Sequence, residues 1–279
     1  MNNLFRKTLL ASAVTISLAA ASAGAMAETF PDFVISEGSI AGALPNTFTA
    51  DKITGTYVEV ITFAGNTFDV SLKWNAGQFV ANNGADPVAS QLGGITANQY
   101  GLYALYQGSG TVTYTASGAK FDFTPGGSLL LFSDARSDTG FVQPTDGTVE
   151  YKITNYEDDR LLAVGVPNFG QGTLDTSLST CGEGKGINCG SFGATSTFGL
   201  TDEGSAYFVA PAPFYNLSFQ SGQLNTFSPT GTQVINGSLD VVFGNAVNAV
   251  PEPTTIALLG LGLLGFAASR RNSAKSKNA

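Results

Sequence analysis

Phe68-Asp-Val-Ser-Leu-Lys-Trp74 alternates without a break, with apolar side chains at 68, 70, 72 and 74 and polar ones at 69, 71 and 73. A period of two sends one set of side chains to a buried face and the other to water, which marks a half-solvated β-strand. The pattern recurs in Thr111–Thr115, Lys120–Phe123, Val149–Thr154, Tyr215–Gln220 and Leu239–Phe243. Leu129–Phe132 and Leu161–Val164 are continuous apolar runs, suited to strands covered on both faces. Gly108-Ser-Gly110, Pro125-Gly-Gly127, Asp146-Gly147 and Asn236-Gly237 read as turns between them. Short strands punctuated in this way predict an all-β fold: a single antiparallel β-sandwich or jelly-roll-like domain. Ala97–Tyr106 is the best helix candidate and reads equally well as a strand.

Composition agrees with an exported β protein. The 279 residues hold 34 Gly, 20 Phe and 9 Tyr, and only 12% are charged. Histidine is absent. That removes Ser-His-Asp and Cys-His nucleophiles, imidazole acid/base chemistry and His-ligated metals. The net charge of −8 conceals a split. Residues 28–250 keep 7 of the 13 Lys and Arg but 20 of the 21 Asp and Glu, a net of −13. Such a body is a poor partner for nucleic acid.

The two ends read as targeting segments. Residues 1–27 form a signal peptide: Arg6 and Lys7, the apolar run Leu9–Ala20, then Ala25-Met-Ala27, with signal peptidase expected to cut before Glu28. At the other end, Pro251-Glu252-Pro253 precedes the apolar stretch Ile256–Ala268 and the basic residues Arg270 and Arg271. As a helix that stretch spans about 20 Å, a marginal membrane crossing. The basic cluster places the body on the outer side. The expected division is 1–27 signal peptide, 28–250 extracellular β domain and 251–279 sorting tail, with a break near 168–200 as the alternative.

Pro-Glu-Pro, a short apolar helix and a terminal Arg cluster resemble the PEP-CTERM sorting signal of Gram-negative bacteria. The resemblance implies transient anchoring in the inner membrane by the C-terminal helix and cutting near Pro-Glu-Pro by an exosortase. It also implies delivery to the cell surface or the exopolysaccharide matrix. Phe30-Pro-Asp-Phe33, Phe48–Gly55, Trp74–Phe79 and Ile235–Phe243 are similar to stretches of the flocculation-associated PEP-CTERM proteins. This second resemblance implies a role in cell aggregation, flocculation or biofilm. Extracellular polysaccharide or other surface proteins would be the partners.

Candidate sites follow from residue chemistry. Cys181 and Cys189 flank a Gly-rich loop, and in an exported chain they are expected to form a disulfide. Gly182–Gly186 lacks the spacing of a phosphate-binding loop. Asp134, Asp138, Glu157, Asp158 and Asp159 are candidate Ca²⁺ ligands, since hard oxygen sites need no histidine; the alternative is solvated loop carboxylates. Tyr100, Tyr103 and Tyr106 sit three apart and are either a sugar-stacking platform or core, while Trp74 reads as core. Two carboxylates can hydrolyse glycosides without histidine; among 20 body acids the sequence does not single out a pair at the required separation, and no catalytic residue is assigned. The expectation is a non-enzymatic surface protein, with no required cofactor, that promotes aggregation. The alternatives are a calcium-dependent glycan-binding module and a secreted carbohydrate-active enzyme.

Overall fold

The computed structural model describes residues 30–93, 98–182 and 186–246. Its main strands are β1 (Phe33–Ser36), β2 (Thr47–Ala50), β3 (Lys52–Ala64), β4 (Thr67–Ala81), β5 (Gly101–Tyr114) and β6 (Gly118–Asp134). They continue with β7 (Arg160–Gly165), β8 (Pro167–Asp175), β9 (Gly190–Thr197), β10 (Phe208–Ala210), β11 (Leu217–Leu224) and β12 (Thr232–Gly244). One short helix, α1 (Asp202–Tyr207), lies between β9 and β10. The all-β expectation holds, and the Gly101–Tyr106 part of the ambiguous segment is strand.

The expected sandwich is replaced by a barrel. Strands β3, β4, β5, β6, β8, β9, β11 and β12 each pair antiparallel with the next, and β12 pairs back onto β3 from Thr232↔Thr62 to Val241↔Ile53. The sheet thus closes on itself, and all eight strands of the ring have two neighbours. Strand β6 bridges two partners: Gly118–Phe123 pair with β8, and Leu129–Ser133 pair with β7.

The sandwich reading fails because glycines taken for turns lie inside long strands. Gly108-Ser-Gly110 is within β5, Pro125-Gly-Gly127 within β6 and Asn236-Gly237 within β12; only Asp146-Gly147 is in a loop. In a strand, glycine marks a bulge or a close approach. Gly126 and Gly127 have positive φ (122° and 95°) close to the register shift between β5 and β6, so here the ladder bends. Several strand glycines clear space for rings. A Cβ at Gly110 would stand 2.5 Å from the Phe68 ring, and one at Gly222 2.4 Å from Phe192. At Gly55 it would stand 2.4 Å from Trp74 Nε1. Trp74 is buried as expected, and its indole N–H donates to the Leu239 carbonyl at 2.9 Å.

Both ends of the barrel are plugged. At one end the small sheet β10-β1-β2 packs with Phe33, Phe198, Phe208, Phe214 and Phe243, whose rings meet at 4.8–6.5 Å. At the other end Phe63, Phe68, Phe121 and Phe227 cluster. The expected disulfide, Cys181–Cys189, is present there and belongs to the core. Cys189 N–H donates to the Leu224 carbonyl at 2.7 Å, which ties this loop to the end of β11.

Two buried glutamates differ in kind. The Glu37 carboxylate accepts hydrogen bonds from Asn46 Nδ2 (2.7 Å), Gln91 N (2.7 Å), Gln91 Nε2 (3.0 Å) and Tyr100 Oη (3.1 Å). Glu59 projects into the barrel lumen, 6% exposed, beside two small cavities of about 50 and 20 Å³. Burial pushes its carboxyl up to about 8 from an ordinary 4.5. Between those values the unfolded chain has released the proton and the folded chain keeps it. Stability is therefore full below about pH 4.5 and is lost as the pH rises toward 8. Melting curves from pH 5 to 8 are expected to show wild type losing on the order of 3 kcal/mol of stability. Glu59→Gln is expected to give a flatter profile, and parallel profiles would contradict this assignment.

Candidate functional site

Antiparallel pairing of β6 with β7 sets Ser133 opposite Arg160. The loop leaving β6 therefore lies against the loop entering β7. Each loop carries carboxylates, and oxygens of Asp134, Asp138 and Asp158 come within 4.8 Å of one another.

Local geometry fixes the first of these. Asp134 is buried, and its carboxylate accepts the backbone N–H groups of Arg136 (3.1 Å), Asp138 (3.3 Å) and Thr139 (2.9 Å). The turn passes through Ser137 in the left-handed region (φ 54°). Arg136 Nη1 stands 3.7 Å from Asp158 Oδ1, with the arginine largely exposed. Asp158 Oδ2 and Ser137 Oγ are buried and have no hydrogen-bond partner. Three carboxylates at this separation repel one another unless a cation or protons intervene. Their donor set is all hard oxygen, which suits Ca²⁺ or Mg²⁺.

The remaining acidic candidates lie outside this trio. Asp159 accepts the Tyr103 hydroxyl at 2.6 Å and the Thr139 hydroxyl at 2.9 Å, so it holds the loop to β5. Burial raises its carboxyl above the usual range, and Asp134 and Asp158 add to the rise. Burial likewise pushes the Tyr103 phenol up, helped by Asp159. Glu157 is exposed and stands apart from the trio. Asp146 caps its own turn through Thr148.

The aromatic candidates are redistributed. Tyr100, Tyr103 and Tyr106 are all buried, which removes the tyrosine platform. Exposed rings lie elsewhere among the described residues: Phe30, Tyr114 and Tyr156, and on the strands either side of β9, Phe169 (59% exposed) and Phe219 (37% exposed). Sequence reasoning missed Phe219 because the phase of its strand is reversed, and it assigned no phase to the strand of Phe169. In β11, alternation predicts Leu217 and Phe219 inward, yet Ser218 and Gln220 are the buried residues. In β8 the inward positions are Gly170, Gly172 and Leu174, and Phe169 points out. The available signal was the set of inward glycines: a Cβ at Gly170 would meet Phe123 at 2.9 Å.

The PEP-CTERM protein-sorting motif matches residues 249–271. That span includes Pro251, Glu252, Pro253, Arg270 and Arg271. The motif marks the chain as exported, recognised by an exosortase and destined for the surface or exterior. No curated protein and no solved structure matches the chain. The matched span, the apolar stretch 256–268 and the signal-peptide residues Ala25, Ala27 and Glu28 lie outside the described residues. Among the described residues no helix is long and apolar enough to cross a membrane.

Proposed function

We propose that this chain is an exosortase-processed protein of the cell surface or exopolysaccharide matrix that promotes cell aggregation without catalysing a reaction. The observation that carries this reading is the sorting motif at 249–271, set behind an acidic β-barrel body. The barrel supports it. Its lumen is filled by side chains, with the two small cavities beside Glu59 left over. A packed interior suits a rigid display scaffold. Deletion of the gene tests the reading. Loss of flocs or biofilm is expected, with rescue by the full chain and none by a chain lacking 251–279. Normal aggregation in the deletion strain would refute the proposal.

A second reading, a calcium-dependent glycan-binding module, is favoured by the gathering of Asp134, Asp138 and Asp158 around the unpartnered Asp158 Oδ2. Ca²⁺ added to the exported chain is expected to bind with a dissociation constant on the order of 10⁻⁴–10⁻³ M, the range of extracellular modules. Melting temperature should rise with it, and Asp158→Asn should abolish both effects. Absence of heat at millimolar Ca²⁺, with melting unchanged, would dispose of the site.

A further inference from the structure

The outward rings of Phe169 in β8 and Phe219 in β11 have a consequence on the outer wall of the barrel. Phe169 of β8 is registered opposite Thr195 of β9, and Thr195 opposite Phe219 of β11. The two exposed rings thus stand two strand spacings apart, about 10 Å, with a threonine between them. One pair further along, Gln171, Gly193 and Ser221 form the next row, and Gly193 leaves a shelf between two polar side chains. The Phe219 ring reaches over Gly244, where a Cβ would stand 3.0 Å from it.

The three strands themselves are nearly free of charge, and carboxylates border them: Asp122 of β6 accepts Gln171 Nε2 at 2.8 Å, and Asp240 of β12 is registered opposite Ser221. In a body of net −13, strands β9 and β11 carry no charged residue, and β8 carries one, Asp175, at its far end. The wall runs into an open cleft of about 590 Å³ lined by Val164, Val166, Asn168, Thr197, Asn216 and Leu217, again without a charge. Burying a phenylalanine is favourable, so strands that turn theirs outward and keep serine, glutamine and glycine inward oppose the ordinary driving force. Departures of this kind concentrate at functional surfaces.

We propose that the wall of β8, β9 and β11, centred on Phe169 and Phe219, binds an uncharged stretch of polysaccharide chain. The proposal rests on the extracellular reading above and names the surface and the class of partner. Flat aromatic faces stack on the C–H faces of sugar rings, and two of them engage separate rings of one chain. Thr, Ser, Gln and Asn side chains both donate and accept, which matches the hydroxyls of a sugar. A second copy of this chain fits less well. The core of a stable protein interface is a contiguous apolar patch, and here two rings stand apart among hydroxyls and amides. Two acidic bodies also repel each other, a penalty that an uncharged polymer does not incur.

The test uses the exported chain, matrix polysaccharide purified from the producing cells, and cellohexaose as a defined neutral probe. Amide chemical shifts of Phe169, Thr195 and Phe219 are expected to move on addition of the polysaccharide. Phe169→Ala with Phe219→Ala should weaken binding at least tenfold, and Phe169→Ala alone, at the more exposed ring, should weaken binding severalfold with the melting temperature little changed. Lys73→Ala, at the Phe141 contact remote from these strands, should bind as wild type. Shifts that depend on protein concentration and need no sugar would assign the wall to self-association and overturn the proposal. Full-strength polysaccharide binding by the double variant would overturn it while leaving the matrix role intact. Absence of the chain from surface and matrix would instead remove the reading on which it rests.

Discussion

Closure of the ring is the constraint on which the rest of the molecule depends. β3 and β12 are far apart in sequence, and their pairing over Thr232↔Thr62 to Val241↔Ile53 turns a meander into a barrel. Trp74 reinforces the seam. Its indole lies over Gly55 of β3 and donates to the Leu239 carbonyl of β12. Lys52 and Asp240 add an ion pair at 3.2 Å on the partly exposed side, which by itself contributes little. Once the ring is closed, the interior has a fixed width, and eight strands leave space for side chains and little more. Large rings then fit only where the facing wall is bare, as at Gly110 against Phe68 and Gly222 against Phe192. Abundant glycine and abundant phenylalanine are therefore two sides of one packing solution.

The same closure moves the surface chemistry onto side chains. A sheet edge can recruit another strand through its unpaired backbone groups, and a closed ring has none to offer. Among the strands outside the ring, β1, β2 and β10 span three or four residues each and are occupied in plugging one end, while the six-residue β7 pairs with β6 on one side and with Gly199–Leu200 on the other. Association by a body of this shape proceeds through its outer wall and its loops. That is where the structure keeps its exposed phenylalanines and its gathered aspartates.

Much of this was legible in the sequence, for identifiable reasons. Strict alternation at Phe68–Trp74 gave the β class because a half-buried strand has no other way to sort its side chains. Two cysteines close together gave the disulfide, and the C-terminal sorting motif declared itself by Pro-Glu-Pro, apolar length and basic charge. Closure was not legible, because glycine inside a strand and glycine at a turn look alike until the ring it faces is known. Phe219 was misplaced because its segment alternates as cleanly as Phe68–Trp74 but with the opposite face inward. The aspartates were legible as a set of candidates. Which three converge depends on the β6–β7 register, and that register is a property of the fold.

Native-state hydrogen exchange across the β12–β3 seam tests closure most directly. In a closed barrel the hydrogen-bonded amides of Ile235–Val241 and their partners in β3 share the slowest exchange class with those between β3 and β4, released together by global unfolding. Seam amides that exchange orders of magnitude faster, while the β3–β4 ladder stays protected, would mean that the sheet is open and the account of this fold is wrong.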